Sequence, residues 1–364
     1  MDLETFLQTC AALNIKFEVK DDELGIEADP SVLKEEFVIE LKSKKLAIIA
    51  WLKSQQQSAT IAEKKIKRRG AEHEPAQLSF SQQRLWLLDR LEPARGQYNI
   101  PAIFELTGPL DLPALKQAFT MIVARHDILR TVYQHQGNEV RQLVHAAADF
   151  IIKQHDLSEL AVSEQLKKLQ QNVKSEVSTP FELSTDAMLR VTLYRISEQE
   201  SHMLVVMHHI GSDAWSIKVL LNELSEAYSA ILAQRQPMMS PLLVQYADFA
   251  HWQRNWLSGD NLELHLDYWR GCLADAPLLH SLPLDASRPA EQSHSGEVQK
   301  KIVPHQLRLQ LEALARQHQT GLYSILHATF VYLLRLYSGE TDIVIGTPVA
   351  NREQVELAPL IGIF

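Results

Sequence analysis

Two adjacent histidines and a following aspartate stand in Met207-His-His-Ile-Gly-Ser-Asp-Ala-Trp-Ser216, and these residue types suit the handling of a proton. An imidazole exchanges protons near neutral pH, and a nearby carboxylate can fix the loop around it. The preceding run Met203-Leu-Val-Val-Met207 is apolar throughout and reads as a buried strand. The following Ser216-Ile-Lys-Val-Leu-Leu-Asn-Glu-Leu224 carries apolar residues at helical spacing. His208 and His209 therefore sit where a strand gives way to a helix. Strand alternation sends them to opposite faces, so at most one looks into a given cavity. The same divergence keeps them from sharing a metal ion, and no Cys or further His lies nearby at ligand spacing. Asp213 falls at a helix N-cap. These residues alone fit a proton-handling site and a packed strand end before a capped helix equally well.

The chain has 364 residues, enough for two or three domains with real cores. Apolar residues make up 46% of it, and no apolar run approaches membrane-spanning length. Acidic residues in Met1-Asp-Leu-Glu-Thr-Phe6 stand where a secretory signal is basic, which points to the cytoplasm. Cys10 and Cys272 are too few for a disulfide framework. A net charge of −9 argues against nucleic acid as a partner of the whole chain.

A small unit comes first. Leu3, Phe6, Leu7 and Cys10 recur at helical spacing over residues 2–13, and Ile15–Val19 and Leu24–Ala28 alternate as a hairpin. Asp29-Pro-Ser31 then opens a helix with Leu33, Phe37, Leu41 and Ile48 on one face. Residues 55–77 read as a linker, polar at Ser54–Thr60, with a solvated basic run at Lys64–Arg69. Beyond it, strands are expected at Ile103–Leu106, Thr131–His135, Val140–Val144, Leu189–Tyr194 and Met203–Met207. Helices are expected at Pro113–Arg125, Ser158–Val177, Trp215–Ala233, Tyr246–Trp256 and Leu262–Leu273, with Asp111, Ser158 and Asp213 as N-caps. A second, shorter set follows: strand Val298–Val303, helices His305–Gln317 and Tyr323–Tyr337, strand Asp342–Gly346. Strands and helices in two successive sets fit two α/β lobes.

The histidine segment resembles the HHxxxDG signature of the condensation domains of nonribosomal peptide synthetases, within the chloramphenicol-acetyltransferase-like acyltransferases. Other segments carry the same likeness in the family's order. Leu78-Ser-Phe-Ser-Gln-Gln-Arg-Leu-Trp-Leu-Leu-Asp-Arg-Leu-Glu-Pro93 resembles the opening motif, followed by Tyr98-Asn-Ile-Pro101. Arg125-His-Asp-Ile-Leu-Arg-Thr131, Gln245-Tyr-Ala-Asp-Phe-Ala250, Tyr268-Trp-Arg270 and Ile345-Gly-Thr-Pro-Val-Ala-Asn-Arg352 complete it. The first unit resembles the docking domains that precede some condensation domains.

That resemblance implies an α/β (α+β) fold, a two-lobed chloramphenicol-acetyltransferase-like pseudodimer with an α-β-β-α docking domain at its N-terminus. The divisions implied are docking domain 1–54, linker 55–77, N-lobe 78–258, and a connecting segment with a partial C-lobe at 259–364. Family members continue beyond Ile361-Gly-Ile-Phe364, so the second lobe is expected to be incomplete. The implied reaction is attack by one carrier-bound amine on the thioester of another carrier. No cofactor or metal is expected on this chain, because the substrates ride on the 4'-phosphopantetheine of partner carrier proteins. His209, the second motif histidine, is the expected functional imidazole, as base or as positioning group. His208 is expected to be structural, and Asp213 to clamp the loop against Arg352, with Arg335 as runner-up. Gly211, Ala214, Trp215 and Ser216 are candidates for a substrate passage. Ala214 departs from the family glycine, which matters if that spot needs a positive φ. Lys16, Lys20, Leu24, Ile26, Lys44 and Lys45 are expected to receive the C-terminal peptide of an upstream synthetase or polyketide synthase. Other classes remain open, namely a free-standing acyltransferase acting on a CoA-type thioester, or a non-catalytic platform. No nucleic acid or membrane partner is expected.

Overall fold

The computed structural model describes residues 65–70, 74–91, 96–277, 279, 281–288, 296 and 299–364, and at the N-terminal end 6, 10, 15–20, 23–28, 41, 44, 45 and 47–49. Two units emerge, one of residues 1–258 with 350–364, the other of 259–349. The closing residues 350–364 thus belong with the first unit, whereas the sequence groups them with 259–349.

In the first unit, β1 (Lys16–Lys20) and β2 (Glu23–Glu27) form an antiparallel hairpin, with Lys20 opposite Glu23 and Lys16 opposite Glu27. Phe6, Cys10, Ile15, Leu41 and Ile48 make a small core against which Phe17, Leu24 and Ala28 pack. The expected opening of the second helix at Asp29-Pro-Ser31 lies outside the described residues, as do residues 55–64 of the linker. Where the linker is described, two of its residues are anchored: Ile66 is buried in the main core, and the Arg69 amide donates to Asp248 Oδ1 at 2.9 Å. The basic run is therefore not wholly solvated, because one apolar residue within it has a core to enter.

A four-stranded sheet follows in the order β4-β9-β8-β7: β4 (Asn99–Thr107), β9 (Glu200–His208), β8 (Leu189–Arg195) and β7 (Lys153–Asp156). A second sheet orders β3 (Ala76–Gln77), β6 (Glu139–Val144) and β5 (Thr131–Gln136). Strand β7 is not legible in the sequence, since Lys-Gln-His-Asp lacks apolar alternation; it pairs parallel to β8 across the helix between them. Beyond residue 79 the helices of this unit are α1 (Phe80–Leu91), α2 (Leu112–Arg125), α3 (Val162–Ser178), α4 (Ala214–Leu232) and α5 (Tyr246–Trp256).

Strand β9 divides the core. Met203, Val205 and Met207 face Phe119 and Ile122 of α2 and Leu220 and Leu224 of α4, while Leu204 and Val206 face Leu85, Leu169, Phe181 and Leu183. Burial on both faces explains why the strand reads as a continuous apolar run. At one end, Glu223 of α4 binds both Arg125 Nε at 3.0 Å and the buried His126 Nε2 at 2.8 Å, locking α2 to α4. Asp111 caps α2 by accepting from the Ala114 amide at 2.8 Å. Ser158 caps no helix: α3 begins after Ala161, and the Ser158 amide and hydroxyl both donate to Asp156 instead.

The second unit holds α6 (Gly259–Cys272), α7 (His305–Gln317) and α8 (Leu322–Ser338). Val298 lies outside the described residues; neither 299–303 nor Asp342–Gly346 is a strand, contrary to the pattern of their side chains. A strand needs a neighbour to satisfy its backbone, and no described strand in this unit offers one. No helix among the described residues is long and apolar enough to cross a membrane.

Candidate active site

Even-numbered side chains of β9 point to the Phe181 core, and His208 continues that parity. It is buried, edge-on to Phe181 at 5.7 Å and to Tyr98 at 6.1 Å. Its Nδ1 accepts from the Ile210 amide at 3.1 Å, so this nitrogen carries no proton. Burial, with smaller contributions from His209 and Arg190, depresses its pKa to about 4 and keeps the ring neutral at pH 7.

His209 opens a single tight turn, His209–Gly211, at the end of β9. Its amide donates to the Tyr98 carbonyl at 2.8 Å, and its Nδ1 lies 2.8 Å from the Ser212 carbonyl. A carbonyl only accepts, so Nδ1 bears a proton, and in the neutral ring Nε2 presents a lone pair. His209 is half-buried, unlike its neighbour. Ser212 Oγ closes the turn by donating to the His208 carbonyl at 3.0 Å.

Asp213 is the N-cap of α4, where the positive end of the helix favours a carboxylate. Its Oδ1 accepts from the Ser216 amide at 2.8 Å and hydroxyl at 2.7 Å, and Arg352 Nη2 lies 3.0 Å from each carboxylate oxygen. Arg352, with 2% of its side chain exposed, also donates through Nη1 to the carbonyls of Leu357 (2.7 Å) and Leu360 (2.6 Å). Its guanidinium lies 4.1 Å over the Phe364 ring. Burial pulls its pKa below the ordinary arginine value, and the Asp213 carboxylate opposes that shift. These bonds tie Asp213 to the first turn of α4 and to Arg352. Arg352, not Arg335, stands at this carboxylate.

The four passage candidates are placed differently from one another. A Cβ on Gly211 would come 3.0 Å from Met188 Cβ, so the glycine lets the turn lie against β8's approach. Ser216 is buried in the capping box, its hydroxyl also 3.0 Å from the Gly362 carbonyl. The Trp215 indole donates to the Ala358 carbonyl at 3.0 Å. Ala214 is exposed and begins α4, with φ in the ordinary negative range, so no glycine conformation is demanded there. The side chains of Trp215 and Ser216 thus serve to hold residues 358–362, which sequence spacing could not reveal.

Residues 357–364 pack beneath this corner. Leu357, Leu360 and Ile361 are buried, and a Cβ on Gly362 would stand 2.2 Å from Tyr246 Cδ2, so only glycine fits. The Tyr246 hydroxyl donates to the Ile363 carbonyl and lies 2.8 Å from Ser79 Oγ. Gln82, Tyr133 and Tyr246 are not expected as site residues from the sequence. The one available signal is Ser79-x-x-Gln82, which has capping-box spacing: Ser79 N donates to Gln82 Oε1 and Gln82 N to Ser79 Oγ, each at 3.1 Å. On the hairpin, Leu24 is half-buried and Ile26 is 41% exposed. Lys44 is half-buried and Lys45 exposed, while Lys16 and Lys20 are the first and last residues of β1.

Asp213→Asn removes one charge of the clamp and leaves Arg352 buried, and it should cost about 3 kcal/mol of stability. Urea denaturation measures this, and an unchanged midpoint would contradict the clamp. A second expectation concerns His208. Below pH 6.5 the unfolded chain takes up a proton that the folded His208 refuses until about pH 4. Stability therefore falls as pH falls through that window, by about 3 kcal/mol in all. His208→Asn, which keeps an acceptor for the Ile210 amide but does not titrate, should flatten that part of the stability–pH curve.

Residues 72–364 match the family described as condensation domain, and residues 3–54 match the TubC N-terminal docking domain. One of the linear gramicidin synthase proteins of Brevibacillus parabrevis is 41% identical over 287 residues, 79% of this chain and 4% of that protein. Phosphinothricin tripeptide synthetase PhsC of Streptomyces viridochromogenes is 36% identical over 299 residues, 82% of this chain and 28% of that protein. Among solved structures, the X-domain from teicoplanin biosynthesis superposes with a TM-score of 0.71 at 30% identity, covering 82% of this chain and 65% of that one. The chain spans only a small part of the length of the synthetases it matches. The family match runs through both histidines, Asp213 and Arg352, and the protein belongs to the condensation-domain family of nonribosomal peptide synthetases, of chloramphenicol-acetyltransferase-like fold, with a docking domain of the TubC N-terminal type ahead of it.

Proposed function

We propose that this chain forms the peptide bond between an upstream peptidyl or acyl thioester and a downstream aminoacyl thioester, each held on the phosphopantetheine of a carrier protein. The amine nitrogen attacks the thioester carbonyl, the C–N bond forms, the C–S bond breaks, and the donor phosphopantetheine leaves as a thiol. Thioester aminolysis is downhill, so the protein mainly aligns two tethered reactants, which supplies on the order of 7 kcal/mol in favourable cases. The proton lost by the amine is the remaining task. His209 Nε2 accepts a hydrogen bond from the attacking amine and takes that proton as the C–N bond forms, then returns it to the departing sulfur. The observation that carries this reading is the bond from Nδ1–H to Ser212, which leaves Nε2 as an acceptor. His208, neutral and enclosed, and Asp213, saturated by Ser216 and Arg352, have no direct role in the chemistry.

The docking unit receives the acidic C-terminal peptide of an upstream synthetase or polyketide synthase along the hairpin. Support comes from the two-stranded sheet, whose outer edges have no strand partner in that sheet, from exposed Ile26 on β2, and from exposed Lys45. Lys16, Lys20 and Lys44 add positive charge that steers an acidic tail more than it tightens binding. Cys10 and Cys272 stand as thiols, which fits a reducing compartment, the cytoplasm.

A second reading has one observation behind it. The X-domain solved in complex with OxyB shares this fold with a TM-score of 0.71 at 28% identity. A platform of that kind would not need the histidine. His209→Ala in the intact synthetase should slow donor-to-acceptor transfer on the order of 100-fold or more, followed by mass spectrometry of loaded carriers. An unchanged single-turnover rate would favour the platform.

Docking is tested on the intact chain by calorimetric titration with the C-terminal peptide of the neighbouring upstream protein. Micromolar affinity is expected, about −8 kcal/mol. Equal binding of unrelated acidic tails would refute specific docking.

A further inference from the structure

We propose that Gln82 and Tyr133 are positioning residues for His209, acting through the carbonyl of Ile210; this rests on His209 serving the reaction as proposed above. The turn that carries the imidazole is short, and its geometry depends on what grips it. On one side the His209 amide is held by the Tyr98 carbonyl and the Ile210 amide by His208 Nδ1. On the other, two donors converge on one acceptor. Gln82 Nε2 and the Tyr133 hydroxyl each lie 3.3 Å from the Ile210 carbonyl oxygen.

These donors come from α1 and β5, far apart in sequence, so the turn is set by two separate elements. The Gln82 amide has a defined orientation. Its Oε1 accepts from the Ser79 amide at 3.1 Å, which can only donate, so Nε2 faces Tyr133, Gln142 and Ile210. Gln82 Nε2 lies 3.0 Å from the Tyr133 hydroxyl, which can accept from it while donating onward to Ile210. Such a relay polarises each bond along it. Ser79, Gln82 and Tyr133 are all buried, and burial drives the Tyr133 phenol pKa far upward, so the hydroxyl stays a donor. Behind the turn, Gly211 abuts Met188. The turn is therefore wedged between a hydrogen-bonding wall and an apolar one, and the height of the imidazole follows from both.

The chemistry of Gln82→Glu is specific. The new side chain keeps an acceptor for Ser79 N but replaces the Nε2 donor by an oxygen. The Tyr133 hydroxyl then turns its proton toward that oxygen and away from Ile210, and both donors to the turn are lost together. Tyr133→Phe removes only the hydroxyl and keeps the packed ring.

The test uses the full synthetase with loaded carriers in single-turnover assays, together with thermal melting. Gln82→Glu should lower the rate of transfer about tenfold to 100-fold, the scale set by a misplacement of about 1 Å, with the carrier concentration at half-maximal rate unchanged. Tyr133→Phe should show the same split with a smaller loss of rate. In a His209→Ala background neither substitution should slow the residual reaction further. A wild-type rate for folded Gln82→Glu would overturn the assignment, as would a loss of equal size in the His209→Ala background. Should Gln82→Glu fail to fold, a folded Tyr133→Phe with the wild-type rate overturns it equally. A wild-type rate for His209→Ala itself would instead remove the functional reading beneath it.

Discussion

The buried pairing of Arg352 with Asp213 is the interaction on which the rest of this site depends. Burying a guanidinium is expensive, and the cost is offset only when its donors find partners. Here the carboxylate takes Nη2, the carbonyls of Leu357 and Leu360 take Nη1, and the Phe364 ring covers one face. The carboxylate and the carbonyls come from segments far apart in the sequence. The pair therefore does more than join two charges. It fixes residues 352–364 against the N-terminus of α4, and so lets Leu357, Leu360 and Ile361 complete a core begun by α2 and β9. Buried ion pairs contribute little net stability as a rule, and their value here lies in specifying one arrangement.

From that corner the order propagates through backbone polar groups. Ser216 serves the cap of α4 and the Gly362 amide at once. Tyr246 connects Ile363 to Ser79, and Ser79 shares a capping box with Gln82, whose amide reaches the histidine turn. The motif that opens the domain and the segment that closes this unit thus meet around one histidine turn. The imidazole itself makes few contacts. On the proposed reading its placement is set by these neighbours, as a reaction that needs alignment above all requires.

The N-terminal hairpin works by different physics. A unit of so few residues can bury little apolar area, and on the proposed reading the outer edges of the two-stranded sheet offer hydrogen bonds to an extended peptide. On that reading micromolar capture would suffice, since the carriers would then be held at high local concentration. Farther along, Ile66 enters the main core and the Arg69 amide meets Asp248.

Much of this was legible in the sequence because it is local. The apolar run of β9, the helical spacing of α2 and α4, and the caps at Asp111 and Asp213 follow from residue periodicity and short-range hydrogen bonding, which neighbours in the chain decide. The burial of His208 on the Phe181 side follows from the same pleat, whereas His209 lies beyond the strand, in the turn that ends it. Tertiary structure decided what periodicity does not encode. It joined Trp215 and Ser216 to the closing segment, placed β7 beside β8 despite its polar side chains, and left the strand-like segments of residues 259–349 unpaired among the described residues. It also brought Gln82 and Tyr133 to a single carbonyl. Strand pairing and buried polar networks join residues distant in sequence, and their partners exist only once the chain has folded.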